Sequence, residues 1–201
     1  MIARRPWIRS AAFALSLVLA STPAAAQTNY WATMTGPAES PPNASPGTGF
    51  GLFTLSADQL SLSMNVTFSG LLSNTTAAHI HCCTAVPLAG TAGVATTTPS
   101  LAGFPLGVMG GTFVNTLDLT LASSFNAAFV TANGGTIPTA RAVLVNGLNS
   151  GTSYFNIHSQ QFPGGEIRGF ITTVPEPSAV LLMASGLFAV GVVARRKARR
   201  G

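Results

Sequence analysis

Residues 79 to 83 read His-Ile-His-Cys-Cys, which places two of three histidines and both cysteines in five positions. The third histidine is His158. On a β-strand, residues i and i+2 share a face. His79 and His81 would then point one way and Ile80 the other, into a core. His158 closes the stretch Tyr154-Phe155-Asn156-Ile157-His158, on the face opposite Phe155 and Ile157. If these two strands are neighbours, three imidazoles converge. Imidazole ligates copper, zinc or nickel, so His79, His81 and His158 are candidate ligands for copper or zinc. Two other uses of the same residues stay open. The rings could hydrogen-bond loops, with Asn156 and Glu166 as partners, or they could respond to pH near neutrality. Glu166 and Arg168 share a face of their strand and could pair across the sheet, or Glu166 could orient His158.

The adjacent Cys82 and Cys83 have three states open to them. They could form a vicinal disulfide that rigidifies the turn after the histidine strand. They could bridge to other molecules, or act as thiolate ligands beside the histidines. An oxidising compartment favours the disulfide, and the two ends of the chain point to such a compartment.

The first end is MIARRPWIRS followed by AAFALSLVLASTPAAAQ. Arg4, Arg5 and Arg9 precede an apolar run of about ten residues, and Ala24-Ala25-Ala26 offers small-residue cleavage. Residues 1–26 are therefore expected to be a secretory signal peptide. The other end reads VPEPSAVLLMASGLFAVGVVARRKARRG. Pro175, Glu176 and Pro177 break regular structure. Residues 179–194 carry no charge and are expected to form a transmembrane helix. Five cations at 195–200 follow, in the sense of the positive-inside rule.

Those ends also account for the charge. The chain carries ten Lys and Arg against five Asp and Glu. Eight of the ten bases lie in the two ends, at positions 4, 5, 9, 195, 196, 197, 199 and 200. Between them stand Arg141 and Arg168 against Glu39, Asp58, Asp118 and Glu166, two bases against four acids, so that part is near −2. The basic balance belongs to targeting segments, and nucleic acid is not expected as a partner.

Residues 27–173 are expected to form one β-domain. Leu60, Leu62, Met64, Val66 and Phe68 alternate with Ser61, Ser63, Asn65 and Thr67, a period of two that marks a half-buried strand. Similar patterns mark 49–55, 76–81, 111–121, 153–158 and 166–172, and Tyr30 to Met34 reads as an edge strand. The alanine-rich 123–132 and the stretch 138–148 read as short helices, and 88–110 as a long loop. About seven strands with turn signals imply an all-β immunoglobulin-like sandwich or small Greek-key barrel.

Three stretches resemble one family. They are Gly36-Pro37-Ala38-Glu39-Ser40-Pro41-Pro42, Thr76-Ala77-Ala78-His79-Ile80-His81, and Tyr154 to His158 running on through Phe162-Pro163-Gly164-Gly165-Glu166-Ile167-Arg168-Gly169. In this order they resemble the CHRD (chordin-type) domain, which implies an all-β domain and brings no activity with it. Cys82-Cys83 departs from the Gly-Pro that many members have at this point. The order Pro-Glu-Pro, apolar helix and basic tail over 174–201 resembles the PEP-CTERM sorting signal. That resemblance implies export, anchoring at the inner membrane, an exosortase-type processing enzyme as partner, and release to the cell surface or outside. It also implies a setting of extracellular polysaccharide or matrix.

Neither a nucleophile elbow nor a phosphate loop nor HExxH occurs, and the four acids of the middle are far apart in sequence. The expectation is an exported, non-catalytic surface or matrix protein with a structural or adhesive role, with copper or zinc binding as the alternative. A weaker expectation is carbohydrate binding through Tyr30, Trp31 and Tyr154.

Overall fold

A computed structural model gives the fold and describes residues 26–174, 185–190 and 195. Residues 1–25 of the expected leader, and Pro175, Glu176 and Pro177, lie outside the described residues. Of the expected helix over 179–194, residues 185–190 are described and are helical. Among the described residues no helix is long and apolar enough to cross a membrane.

Eight strands form the domain: β1 (Thr28–Thr35), β2 (Thr48–Leu55), β3 (Ser61–Ser69), β4 (Thr75–His81), β5 (Gly111–Asp118), β6 (Tyr154–Ser159), β7 (Ile167–Phe170) and β8 (Thr172–Thr173). Two helices, α1 (Ala127–Ala132) and α2 (Ile137–Ser150), lie between β5 and β6. The local causes are visible. In β3, Leu62, Met64, Val66 and Phe68 are buried while Ser63, Asn65, Thr67 and Ser69 are exposed. The β2–β3 turn is closed by Asp58 and by the left-handed Gln59, with Leu60 N–H donating to Asp58 Oδ1 at 3.0 Å. Thr136 and Thr139 form a capping box at the start of α2, and Gly151 ends it in the left-handed region.

The strands form one sheet in the order β4-β6-β7-β1-β2-β3-β5, with β8 also paired to β1. Of the two expected forms, sandwich or small barrel, this sets aside the sandwich, since among the described residues the strands make a single sheet. The sheet instead curls into a half-barrel around its own core. It also corrects the placing of β1 at an edge. β1 is central, paired along its length with β2 on one side and with β7 and β8 on the other. Tyr30, Phe53, Phe113, Phe155, Ile80 and Leu144 are among the buried core residues, and α2 contributes Leu144 and Leu148. Gly169 lets β7 reach β1, since a Cβ there would lie 2.7 Å from the Thr33 carbonyl carbon.

The long segment after β4 runs along that strand's outer edge. Thr75 N–H donates to Val108, and Gly107 N–H to Thr75. Leu101 N–H donates to Ala78 O, Ala95 N–H to Ile80 O, and Cys82 N–H to Gly93 O. Ala78 and Ile80 N–H donate to the hydroxyls of Ser100 and Thr96. Without being a strand, the loop satisfies the edge of one.

Cys82 and Cys83 are joined by a disulfide. It rests on α2, where a Cβ on Gly147 would overlap Cys82 Sγ and come within 2.6 Å of Cys83 Sγ. That seat explains a glycine inside a helix, where it ordinarily costs about 1 kcal/mol against alanine. Gly147→Ala should therefore lower stability, by about 1–3 kcal/mol from overpacking, against the helix propensity that favours it. Urea unfolding of the two proteins checks this, and an unchanged or raised midpoint would show that the disulfide does not pack there.

Candidate metal centre

Strand β6 carries two different faces. Phe155 and Ile157 enter the core, while Tyr154, Asn156 and His158 face the other way. β4 pairs with β6 so that His79 lies opposite Asn156, His81 opposite Tyr154, and Ala77 opposite His158. On the other side β7 places Arg168 opposite Asn156 and Phe170 opposite Tyr154. A polar layer thus forms on the outward face of three adjacent strands. Ile80 is fully buried on the core side, as the parity of the strand requires.

The three imidazoles meet above Asn156. Their ring centroids are 5.3 to 6.0 Å apart in all three pairings. One nitrogen of each ring is taken by a backbone carbonyl: His79 Nε2 by Pro99 O at 2.8 Å, His81 Nδ1 by Ala92 O at 2.9 Å, and His158 Nδ1 by Pro163 O at 3.0 Å. A carbonyl only accepts, so those nitrogens carry the protons and the tautomers follow. The other nitrogens, His79 Nδ1, His81 Nε2 and His158 Nε2, are buried and have no hydrogen-bond partner. One ligand atom from each ring lies within 4.8 Å of the other two.

Electrostatics agree with neutral rings. Burial pushes the His81 pKa down to about 4, against the pull of the Ala92 carbonyl, with His158, His79 and Arg168 adding repulsion. Burial also lowers His79 and His158 below the ordinary histidine range. A neutral imidazole offers a lone pair, and each ring is braced from behind by a carbonyl, as metal-ligating histidines usually are.

The layer is completed by residues whose role the sequence did not disclose. Tyr154 stacks on His81 with centroids 4.7 Å apart, and its hydroxyl donates to Ala92 O at 3.1 Å. The Arg168 guanidinium lies over the Tyr154 ring at 4.9 Å and 3.8 Å from Glu39 Oε2, both residues of the pair being buried. Burial pushes the Glu39 carboxyl up to about 7, against the pull of Arg168.

Three expectations are corrected here. Glu166 does not orient His158, because its Oε1 accepts from Ser45 Oγ at 2.7 Å and Leu72 N–H at 2.5 Å. Arg168 pairs with Glu39 rather than Glu166. The histidines take backbone carbonyls rather than Asn156 or Glu166. The disulfide sulfurs lie against Gly147 of α2, and the close-set ligand group holds the three histidines without Cys82 or Cys83. Tyr30 and Tyr154 are buried, which removes them from any exposed aromatic platform and leaves Trp31.

The model of the CHRD domain matches residues 30–171, and that of the PEP-CTERM protein-sorting motif matches residues 173–200. No curated protein and no solved structure matches the chain. The histidines, Glu39, Arg168 and the disulfide all fall inside the first match. The second marks an exported protein whose sorting signal is recognised by an exosortase. The chain belongs to the CHRD-domain family and carries a PEP-CTERM sorting motif at its C-terminal end.

Proposed function

We propose that this exported CHRD domain holds one copper or zinc ion on His79, His81 and His158. The observation that carries the proposal is the trio of buried, partnerless nitrogens, each on a ring whose other nitrogen is fixed by a carbonyl. A buried acceptor without a partner is costly, and three converging on one point share a single remedy. Metal–nitrogen bonds of about 2.0–2.1 Å put ligand atoms roughly 3.3–3.6 Å apart. Since one nitrogen of each ring lies within 4.8 Å of one from each of the others, ring shifts of about an ångström close the site. Three neutral donors suit copper or zinc.

The ion's role in this proposal is structural. Ala92 and Pro99 belong to the long segment after β4, and Pro163 to the β6–β7 turn. An ion fixing the rings would fix those loops too. We propose no catalysis. Glu39 is engaged by Arg168, and Glu166 by Ser45 and Leu72. Asp58 and Asp118 are tied to Ser56 and Thr120 in exposed turns. Those contacts hold each carboxylate by one of its oxygens and account for it structurally. A surface or matrix protein stiffened by a metal fits export and sorting.

Elemental mass spectrometry on protein purified without a histidine tag tests this. Wild type should carry one equivalent of copper or zinc, and His79→Ala/His81→Ala only trace. At a free ion concentration about a hundredfold above the dissociation constant, the wild type alone should gain about 2.7 kcal/mol of stability. Trace metal in wild type after loading with either ion would refute the proposal.

Acid probes the same site in metal-free protein. The unfolded histidines take protons near pH 6.5, and the folded rings resist them, His81 down to about 4. Stability from the neutral rings is present above pH 6.5 and is lost as pH falls towards 4. Glu39 works oppositely. Its folded pKa of about 7 exceeds the unfolded value of 4.5, so its contribution grows as pH falls through that interval. Three groups outweigh one, and the melting temperature should fall between pH 7 and pH 5. With all three histidines replaced by alanine, the slope should reverse. A wild-type slope that already rises towards acid would contradict buried neutral imidazoles.

A further inference from the structure

We infer that the convex face of β1, β2, β3 and β5 is a binding site for a neutral polysaccharide. Registers place the outward side chains of these strands in rows. One row is Thr33–Phe50–Thr67–Thr112, and the next is Trp31–Leu52–Asn65–Val114. Neighbouring strands lie about 4.8 Å apart, so four of them make a face about 14 Å wide. Trp31 is 45% exposed and Phe50 40% exposed, and their rings meet edge to face with centroids 6.3 Å apart. Beside them Thr48, Phe50, Thr67, Ser69 and Thr112 line an open hollow of about 550 Å³. Asp118, at the far corner of the face, is the first charge met, and Thr120 takes its carboxylate.

The chemistry of this face selects its occupant. Exposed aromatic rings offer flat apolar area, which matches the C–H face of a pyranose. The threonine, serine and asparagine side chains supply hydroxyls and an amide at regular intervals, which matches the rim of a sugar. The absence of charge from both rows matches a neutral polymer better than an acidic one. Leu52 and Val114 add exposed apolar area to the second row, so a second copy of this chain is an outcome the test must separate. The site is on the opposite side of the sheet from the core and is built from strands other than those of the histidine cluster, so it stands independently of the metal.

Affinity electrophoresis of the full chain in mild detergent tests the inference. Native gels would contain dextran, galactomannan, xylan or hydroxyethyl cellulose, with alginate as the acidic control. Retardation is expected in at least one neutral gel. Trp31→Ala and Phe50→Ala should each weaken it by about tenfold, the worth of one stacked ring, in protein that still unfolds cooperatively and loses only the melting temperature that their edge-to-face contact supplies. His79→Ala/His81→Ala should leave it intact, which separates this site from the metal. No retardation in any neutral gel, equal retardation of the variants, or stronger retardation by alginate would overturn the inference. So would light scattering that shows a dimer abolished by Trp31→Ala.

Discussion

An antiparallel strand in a curled sheet normally turns one face to water, and β6 does not. Five of its six residues are buried, and His158 is half-buried. Phe155 and Ile157 need only the core. Tyr154, Asn156 and His158 are polar and need partners as well as cover. The rest of the site answers that demand. Loops from 36–47, 84–110 and 160–165 fold over the second face and bring carbonyls to it. The carbonyls of Ala92, Pro99 and Pro163 each take one imidazole proton, leaving the opposite nitrogen buried, and that of Ala38 takes Arg168. Covering the layer and aiming the lone pairs are one event.

The strand parity of this layer was legible in the sequence. His79 and His81 had to share a face, and His158 had to oppose Phe155, because the period of a strand is two. Their meeting was not legible. It depends on β4 and β6 pairing across some 75 residues in the register that sets His79 against Asn156. Alternation counts strands without naming their neighbours. That is why sandwich and barrel could not be told apart and why β1 was read as an edge. β7 and β8, which make β1 central, arrive more than 130 residues later.

Side-chain pairing was less legible still. Glu166 and Arg168 share a parity, and proximity in sequence made them partners. In the fold, the loop after β1 separates them. Its Glu39 takes Arg168, and its Ser45 takes Glu166. The two motif stretches around Gly36–Pro42 and Phe162–Gly169 thus act as interlocking parts, which neither reveals alone. The carbonyls that fix the histidines had no signal at all, since a backbone oxygen has no letter in the sequence. The cysteines follow the opposite logic. They adjoin His81 in the chain, yet the strand and turn send them to α2.

The hydrogen bonds along the outer edge of β4 have a consequence for the exported chain before it reaches its destination. An open strand edge is a template on which another chain can add a strand. Here every outward donor described on β4, and the carbonyls between them, is occupied by the chain's own loop. The loop is irregular, so it closes the edge without presenting a new one. Its length, unusual for a connection in a small domain, is what allows it to travel the whole strand. The segment serves as a selvage that keeps the sheet from growing at its β4 edge by accretion of neighbours in a crowded envelope.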